Sequence, residues 1–553
     1  MRRLRIISVM LLGCLALTAC GSGADQGFPN RIQPDIGPDG SKTLRMGNGA
    51  EPESLDPAKS SGVPAANIEV NLYEGLVTHA ADGKLVPGDA KSWDVSPDKT
   101  TYTFHLRRNA KWSNGAPVTA QQYVYSLRRA VAPATASPYA DIHSPIVNAT
   151  AITDNKKPVD ALGVKALDAH TLQIRLRKPT PFFLNTLAHP SSFPVYPPAV
   201  KKWGDSFTQP GHAVTNGAYA MQSWRVNDKI VLKRNPQFWD NKNTKIDRVV
   251  FYPITDGNSE LSRYQAGTLD WTGGVPSSKI QMIKDQVPDQ YKAVPTLGSY
   301  YLDFNITKPP FKGNRKLRMA LSMALDRRVM VDKILRGNEP PGYSWVPGVV
   351  RGYKSVQFPW ADWSDARREA RARQLYHEAG YSRAHPLKAD LLYVSSSENE
   401  KRISIVAAAM WRKVLGAQIT TTNQEWKVYL QTARRKTDTE LVFAGWIGDY
   451  QDPNTFFSIM KAASGNNYTG YASPVYDRLI SASEHTPNGP KRTKLMHKAE
   501  ATLLHDSPII PLFFVTSHHL VKPYVKGFEP NPLDQYYARY LDIVPAKSSG
   551  NAR

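Results

Sequence analysis

The chain has 553 residues, 41% of them hydrophobic and 21% charged, which predicts two to four globular domains and excludes a disordered protein. The formal net charge is +22, but lysine and arginine are spread along the whole chain, and the clusters at Arg107-Arg108 and Arg434-Arg435-Lys436 are short. We interpret this excess as a solvated basic surface and predict no nucleic-acid binding.

The N-terminus has the pattern of an export signal. Three arginines among the first five residues precede an apolar run over residues 6–19, which is typical of a cleaved signal peptide. The segment Leu17-Thr18-Ala19-Cys20-Gly21 is similar to a bacterial lipobox, so we expect Cys20 to carry lipid and Cys14 to leave with the signal. No apolar run approaches twenty residues, which excludes a membrane-spanning helix.

The next segments alternate between turn-rich and patterned sequence. Residues 20–42 are rich in Gly, Asp, Pro and Ser and are predicted to be a flexible tether. Period-two alternation over residues 102–106 and 172–176 predicts two half-buried strands. Thr119 and Gln122 form a capping-box pattern, which predicts that a helix begins there.

Further along the chain, helix signals precede a clear α/β unit. A helix is predicted from Arg315 to Leu325, with Asp326 capping a second helix that ends at Gly337. Over residues 386–446, three apolar strand-like runs alternate with two amphipathic helical stretches. This alternation predicts a largely parallel sheet with covering helices.

The loop after the last of these strands is the predicted binding edge. Ligands of such sheets bind beyond the carboxyl ends of the strands. That rule places Ile447, Gly448, Asp449, Tyr450 and Asp452 at the edge where a ligand is expected.

Catalytic signatures are absent from the sequence. There is no nucleophile elbow, zinc-protease motif, phosphate loop or dinucleotide fingerprint. The adjacent His518 and His519 would point to opposite faces of an extended segment, so no metal site is predicted. Tryptophan and tyrosine are abundant, at 12 and 26 residues, and such side chains suit a roomy pocket. The sequence therefore favours a binding protein that has no cofactor.

Several segments together resemble one family. They occur in order over nearly all of residues 43–543 and are similar to the peptide-binding lipoproteins of bacterial extracellular solute-binding protein family 5, above all its periplasmic oligopeptide-binding members. The matching segments are AEPESLDP at residues 50–57, LYEGL at 72–76, SWD at 92–94, YTFHL at 102–106, NAKWSNG at 109–115, TASPYA at 135–140, VTNGAY at 214–219, NQEWK at 423–427 and GWIGDY at 445–450.

The resemblance implies an α/β fold of the two-lobed periplasmic-binding-protein type (type II, cluster C), with a hinge and an additional third domain. Lobe I would be discontinuous, over residues 43–73, 198–298 and 518–546. The extra domain would cover residues 74–197, and lobe III residues 299–517.

The same resemblance implies a function and partners. The protein would capture periplasmic or extracellular oligopeptides between its closing lobes and deliver them to the permease and ATPase of an ABC importer. It would be a monomer in the cell envelope, attached to a membrane through its lipid anchor, and would not alter its ligand.

The family pattern also assigns ligand-binding positions. It implies an anionic partner for the peptide α-amino group at Asp449 and a cation for its carboxylate at Lys308, with Arg434 as a candidate substitute for the family arginine that is Phe443 here. Backbone contacts are implied at Gly62, Val63, Gly445 and Ile447, and residues that line the peptide or its pockets at Tyr139, Trp426, Trp446, Asn466 and Asn467.

Three positions depart from the oligopeptide-binding pattern. Ser61 stands where the pattern has an acid, Phe443 where it has an arginine, and Glu400 where it has a histidine. These changes leave open the peptide length and a dedicated ligand, such as a murein peptide, haem, a nickel complex or a sugar. Two other functions stay open: a secreted hydrolase, and a receptor that reports peptides instead of importing them.

Overall fold

The structure, a computed structural model, describes Phe28 and residues 33–545. Its strands, in chain order, are β1 Asp35–Ile36, β2 Lys42–Gly47, β3 Val77–His79, β4 Leu85–Pro87, β5 Ala90–Val95, β6 Thr101–Leu106, β7 Val164–Ala166, β8 Thr171–Arg175, β9 Tyr219–Arg225, β10 Lys229–Arg234, β11 Arg248–Tyr252, β12 Tyr291–Phe304, β13 Lys388–Val394, β14 Gln418–Gln424, β15 Leu441–Ile447, β16 Ile509–Leu520, β17 Val525–Lys526 and β18 Asp542–Ile543.

The helices flank these strands. They are α1 Val63–Leu72, α2 Ala120–Val131, α3 Ala149–Thr153, α4 Phe183–Thr186, α5 Pro197–Trp203, α6 Gly257–Gln265, α7 Ile280–Gln286, α8 Arg315–Met323, α9 Arg327–Val329, α10 Asp365–Glu378, α11 Glu398–Leu415, α12 Trp426–Arg435, α13 Asn454–Ser458, α14 Pro474–Glu484 and α15 Pro490–Asp506. Within the described residues, no helix is long and apolar enough to cross a membrane.

The first sheet has the strand order β1-β2-β11-β10-β9. Strand β2 runs parallel to β11, and the remaining pairs are antiparallel. Leu44, Ile230, Leu232 and Val249 are buried in one core that also takes in the inner face of α1. Strand β1 lies within the stretch predicted as a tether and pairs with β2, so the described end of that stretch carries local structure.

The second sheet has the order β5-β6-β8-β7 and is antiparallel throughout. Its β6 and β8 confirm the two strands predicted from alternation, because side chains of period two reach the core on one face only. The predicted capping box opens α2: the Thr119 N–H donates to the Gln122 side chain at 2.8 Å. Two satisfied N-terminal groups fix where this helix begins.

The third sheet has the order β14-β13-β15-β12-β16. Strand β13 is parallel to β14 and to β15, joined through α11 and α12, as the alternation predicts. The expectation of a largely parallel sheet is nevertheless wrong, because the long strands β12 and β16 come from outside this unit and pair antiparallel.

Of the two predicted boundaries of the helix that follows α8, the start is confirmed and the end differs. Asp326 caps its helix as predicted, accepting a hydrogen bond from the Val329 N–H at 3.1 Å. The helix ends in a π-helical turn over Met330–Leu335, with Arg336 in the left-handed conformation. Its last helical residue, Leu335, therefore lies two residues before the predicted terminator Gly337, whose own backbone N–H donates to Glu339.

Candidate functional site

A cleft of about 700 Å³ opens between the first and third sheets, and residues of the second-sheet region line part of it. Gly62, Val63 and Asn67 contribute from α1 and the loop before it, and Tyr139 and His189 from the second-sheet region. The Ser277 hydroxyl donates to the Asn399 side chain across the cleft at 2.7 Å. Groups from three parts of the chain thus surround one cavity.

Strand β15 presents an unpaired edge to this cleft. Its residues pair with β12 along their whole length, but β13 pairs only with Leu441 and Val442. Gly445, Trp446 and Ile447, farther along the same edge, line the cavity and have no strand partner on that side among the described residues. Free N–H and C=O groups at a sheet edge are a template for an extended chain.

Asp449 follows β15 and lies at the end of this edge. Its backbone N–H donates to the Thr455 hydroxyl oxygen at 3.0 Å, and that hydroxyl lies 3.5 Å from its carboxylate Oδ2. Thr455 is held in place by α13, and the Trp446 indole N–H also reaches its oxygen at 3.4 Å. The loop therefore fixes the direction in which the Asp449 carboxyl points.

The Asp449 carboxyl lacks a cationic partner in the described structure. Burial, and then the charge of Asp141, raise its pKa to about 8, and the Thr455 hydrogen bond only partly opposes them. His189 Nε2 lies 3.7 Å from Oδ1, too far for a hydrogen bond, and burial lowers the pKa of His189 to about 3. A neutral imidazole cannot neutralise the carboxylate, so the site favours entry of a cation.

Most of the sequence-predicted binding residues lie together in the cleft. Asp449, Gly445, Trp446, Ile447, Gly62, Val63, Tyr139, Trp426, Arg434 and Asn466 all line it.

Two of the predicted binding residues, Lys308 and Asn467, lie outside the cavity lining. Lys308 donates to the Thr437 carbonyl at 2.6 Å and lies 3.4 Å from Glu440. Asn467 is buried and holds its own loop by donating to the Tyr471 carbonyl at 2.7 Å. The predicted lipidation residue, Cys20, lies outside the described residues.

At the predicted binding edge, Gly448 lines the cavity, whereas Tyr450 and Asp452 support it from behind. The Tyr450 ring stacks on Phe182 with centroids 5.4 Å apart. Asp452 makes a bidentate, buried ion pair with Arg492 at 2.6 and 2.7 Å. The expectation that these two would meet a ligand is therefore wrong, because both side chains are used to pack the loop.

The three departures from the family pattern, Ser61, Phe443 and Glu400, all line the cleft. Phe443 is buried, with its ring centroid 5.9 Å from that of Tyr300. Glu400 accepts a hydrogen bond from the Val394 N–H at 3.0 Å, and burial raises its pKa to about 8. The cleft is thus more apolar at Phe443 and more acidic at Glu400 than the pattern implies, whereas Ser61 removes an acid.

Sequence reasoning missed two prominent cleft residues, Glu69 and His189. His189 packs its ring on Tyr139 with centroids 4.5 Å apart, although the two residues are fifty positions apart in the chain. Glu69 lies between the apolar Ile68 and Val70 on α1, a weak signal that any partly exposed helix would also give.

A cleft between two sheets, bordered by a third sheet region, is the architecture of substrate-binding proteins. The profile of the bacterial extracellular solute-binding proteins, family 5 Middle, matches residues 84–468. The chain is 42% identical over 507 residues to the periplasmic oligopeptide-binding protein OppA of Salmonella typhimurium, which covers 91% of this chain and 93% of OppA. The chain belongs to extracellular solute-binding protein family 5, which confirms the predicted family and fold class.

Two solved structures of one relative superpose on this chain with different TM-scores. The structure of the Escherichia coli murein tripeptide binding protein MppA, at 38% identity, superposes with a TM-score of 0.88 and covers 93% of this chain and 100% of its own. An unliganded open form of MppA superposes with a TM-score of only 0.68, over 93% and 99%. Since sequence identity and coverage are nearly the same for the two MppA structures, the difference in TM-score reflects a different arrangement of the domains in the open form.

Proposed function

We propose that this protein captures oligopeptides by their free amino end and extended backbone. One observation carries the proposal: a buried carboxyl with a raised pKa, Asp449, lies beside the unpaired edge of β15. An α-ammonium group entering there would gain an anion and spare the carboxylate an unpaired, desolvated charge.

The backbone of the peptide would be satisfied by Gly445, Trp446 and Ile447. Adding a strand to this edge uses N–H and C=O groups that every residue possesses. Affinity would therefore depend little on peptide sequence, and side chains would project into a cavity wide enough for water to adapt to each of them. The names of the relatives, an oligopeptide-binding protein and a murein tripeptide binding protein, support a peptide ligand.

Capture would proceed by hinge closure. A ligand can favour the closed arrangement only through contacts that the open one lacks. Such a ligand would touch both α1, which packs against the first sheet, and β15, which belongs to the third sheet. The two TM-scores with MppA support the existence of two arrangements in this family.

The captured peptide would then pass to the permease and ATPase of an ABC importer. Attachment through lipid on Cys20 would keep the monomeric receptor at the outer surface of a membrane. Replacing Cys20 by serine is expected to move the protein from the membrane fraction to the soluble fraction, and unchanged membrane association would contradict the anchor.

Native mass spectrometry of protein purified without refolding tests the ligand class. A ladder of co-purifying peptides of several lengths is the expected result. One discrete mass would instead indicate a dedicated ligand, such as a murein peptide. If no peptide co-purifies and no peptide pool raises the melting temperature, the proposed function is wrong.

A further inference from the structure

Phe28 packs against an apolar cluster formed mainly by α6 and α7. The buried side chains of this cluster are Leu261, Tyr264, Leu269, Ile283, Val287 and Leu520. The ring of Phe28 meets that of Tyr264 edge-on, with centroids 6.3 Å apart and planes at 71°, a favoured geometry for two aromatic rings. Phe28 is half-buried, although it lies in a stretch rich in Gly, Asp, Pro and Ser. Its ring therefore holds this stretch of chain at a defined place on the surface.

The surface that receives Phe28 is fixed by contacts of its own. The Tyr264 side chain is fully buried, and its hydroxyl donates to the Gln290 side chain at 2.7 Å. The Lys522 ammonium lies 3.7 Å from the centroid of the same ring. Because this seat is preorganised, little ordering of the protein opposes the docking of Phe28.

The chain between Cys20 and Phe28 is short. Its eight residues span at most about 26–29 Å when fully extended. A folded chain of this length has a radius of gyration of about 24 Å, and a sphere with that radius of gyration is roughly 60 Å across. A lipid on Cys20 could therefore bring to a membrane only the surface near Phe28, because the link is too short to reach the opposite side.

The Phe28 cluster is also part of the cleft wall. Ile254 and Val275 pack on the cluster and line the cleft. Helix α6 contributes Asn258 to the cleft lining and Tyr264 to the contact with Phe28, and six helical residues rise about 9 Å. The binding cleft is thus one short helix away from the docked chain.

We propose that the docking of Phe28 makes the α6–α7 face the membrane-facing surface of this receptor, so that the cleft behind it is turned toward the membrane that holds the importer. The partner of this surface is the lipid headgroup layer into which the lipid on Cys20 inserts. This inference rests on the proposed lipid anchor and gives the anchored protein an orientation.

Cross-linking of protein to lipid tests the orientation. The full mature protein, lipidated on Cys20, is reconstituted into vesicles of phosphatidylcholine and phosphatidylglycerol that contain a lipid with a maleimide headgroup. Once Cys14 has left with the signal and Cys20 carries lipid, an introduced cysteine is the only free thiol of the chain. The rate of cross-linking is divided by the rate of reaction with soluble N-ethylmaleimide, which corrects for the reactivity of each thiol.

Two exposed positions are compared. Gln286→Cys places the thiol at the end of α7. Lys388→Cys places it in the third sheet, at the end of β13 opposite to Val394, which lines the cleft. We expect the corrected rate to be at least fivefold higher for Gln286→Cys than for Lys388→Cys. This comparison needs no change to Phe28.

Phe28→Ala then assigns the orientation to the aromatic ring. Without the docked ring, the nearest strand is β1, which begins at Asp35, and the reach from Cys20 rises to about 50–54 Å. The variant should stay on the vesicles, and the ratio of the two corrected rates should fall below twofold. Gln26→Ala is the matched control, because it shortens a polar side chain of the same segment, and it should keep the ratio of the wild type.

Each other outcome overturns a distinct claim. Equal corrected rates for the two cysteines overturn the orientation, and a ratio that survives in Phe28→Ala overturns the role of the ring; in both cases the protein remains on the vesicles and the lipid anchor stands. If mass spectrometry finds Cys20 of the mature protein unmodified, the proposed anchor itself is wrong, and this inference fails with it.

Discussion

Replacing Asp449 by asparagine removes the proposed anion and little else. Asparagine has the same shape, its side-chain oxygen can still accept from Thr455, and the backbone N–H bond to Thr455 is unaffected. The side chain is about 13% exposed, so the substitution removes a charge from a nearly dry site without leaving a cavity. We expect a folded protein that binds peptides more weakly.

The size of the loss follows from two opposing terms. Removing one partner of a buried, hydrogen-bonded charge pair costs about 2–5 kcal/mol. The wild-type carboxyl, with a pKa of about 8, must first release its proton at pH 7, which costs about 1.4 kcal/mol. The difference is about 0.6–3.6 kcal/mol, or roughly a 3- to 400-fold weaker affinity for the variant at pH 7.

The same reasoning fixes the pH dependence. The peptide α-amino group stays protonated well below its usual pKa of about 7.7–8.0, so the Asp449 carboxyl is the group whose protonation changes when the ammonium binds beside it. As the pH falls from 7 to 5, the wild-type Kd for trialanine should rise about tenfold per unit, because binding must expel one proton. The Kd of Asp449→Asn should stay nearly constant. Calorimetry that finds parallel pH profiles for the two proteins would refute the reasoning.

Two further variants test other parts of the site. Glu400→Gln should match the wild type in melting temperature at pH 5 and exceed it at pH 9, because the folded-state pKa of Glu400, about 8, lies above the unfolded value and its stabilising contribution is lost as the pH rises through the folded-state pKa. Differential scanning fluorimetry measures the melting temperatures, and the exposed Glu398→Gln should show no such divergence from the wild type. A constant difference between Glu400→Gln and the wild type at all pH values would count against this reasoning. Gly445→Ala should weaken peptide binding at least tenfold, because its new methyl carbon would lie 2.6 Å from the Tyr300 ring and distort the free edge of β15. Gly465→Ala, where no atom lies within 4 Å of the added carbon, should bind normally, and equal affinities for the two alanine variants would exclude this role for the edge.

Local patterns in the sequence predicted local structure well. The capping box of α2, the alternating β6 and β8, and the α/β unit ending in β15 depend on contacts between residues close in sequence, so their spacing is visible in the chain. The antiparallel β12 and β16 depend on pairing across about two hundred residues. No periodicity reports such pairing, and the expected parallel sheet was wrong for that reason.

The candidate site likewise contains residues that could be predicted from the sequence and residues that could not. Asp449 and Gly445 could be predicted because the carboxyl end of a parallel strand is a binding edge, and because the family resemblance covers that segment. The burial of Glu69, the neutral state of His189 and the packing of Asp452 behind the cleft depend on what surrounds each side chain in three dimensions. The burial of a carboxyl group and its hydrogen-bond and ion-pair partners decide whether it binds a ligand or stabilises a loop.

The central claim is that the free amino end of a peptide is bound at Asp449. Calorimetry of the wild-type protein with trialanine and with N-acetyl-trialanine at pH 7.5 tests it most directly, because acetylation removes only the ammonium charge and adds a small group. The account predicts saturable binding of trialanine and at least tenfold weaker binding of the acetylated peptide. Equal affinities would contradict it.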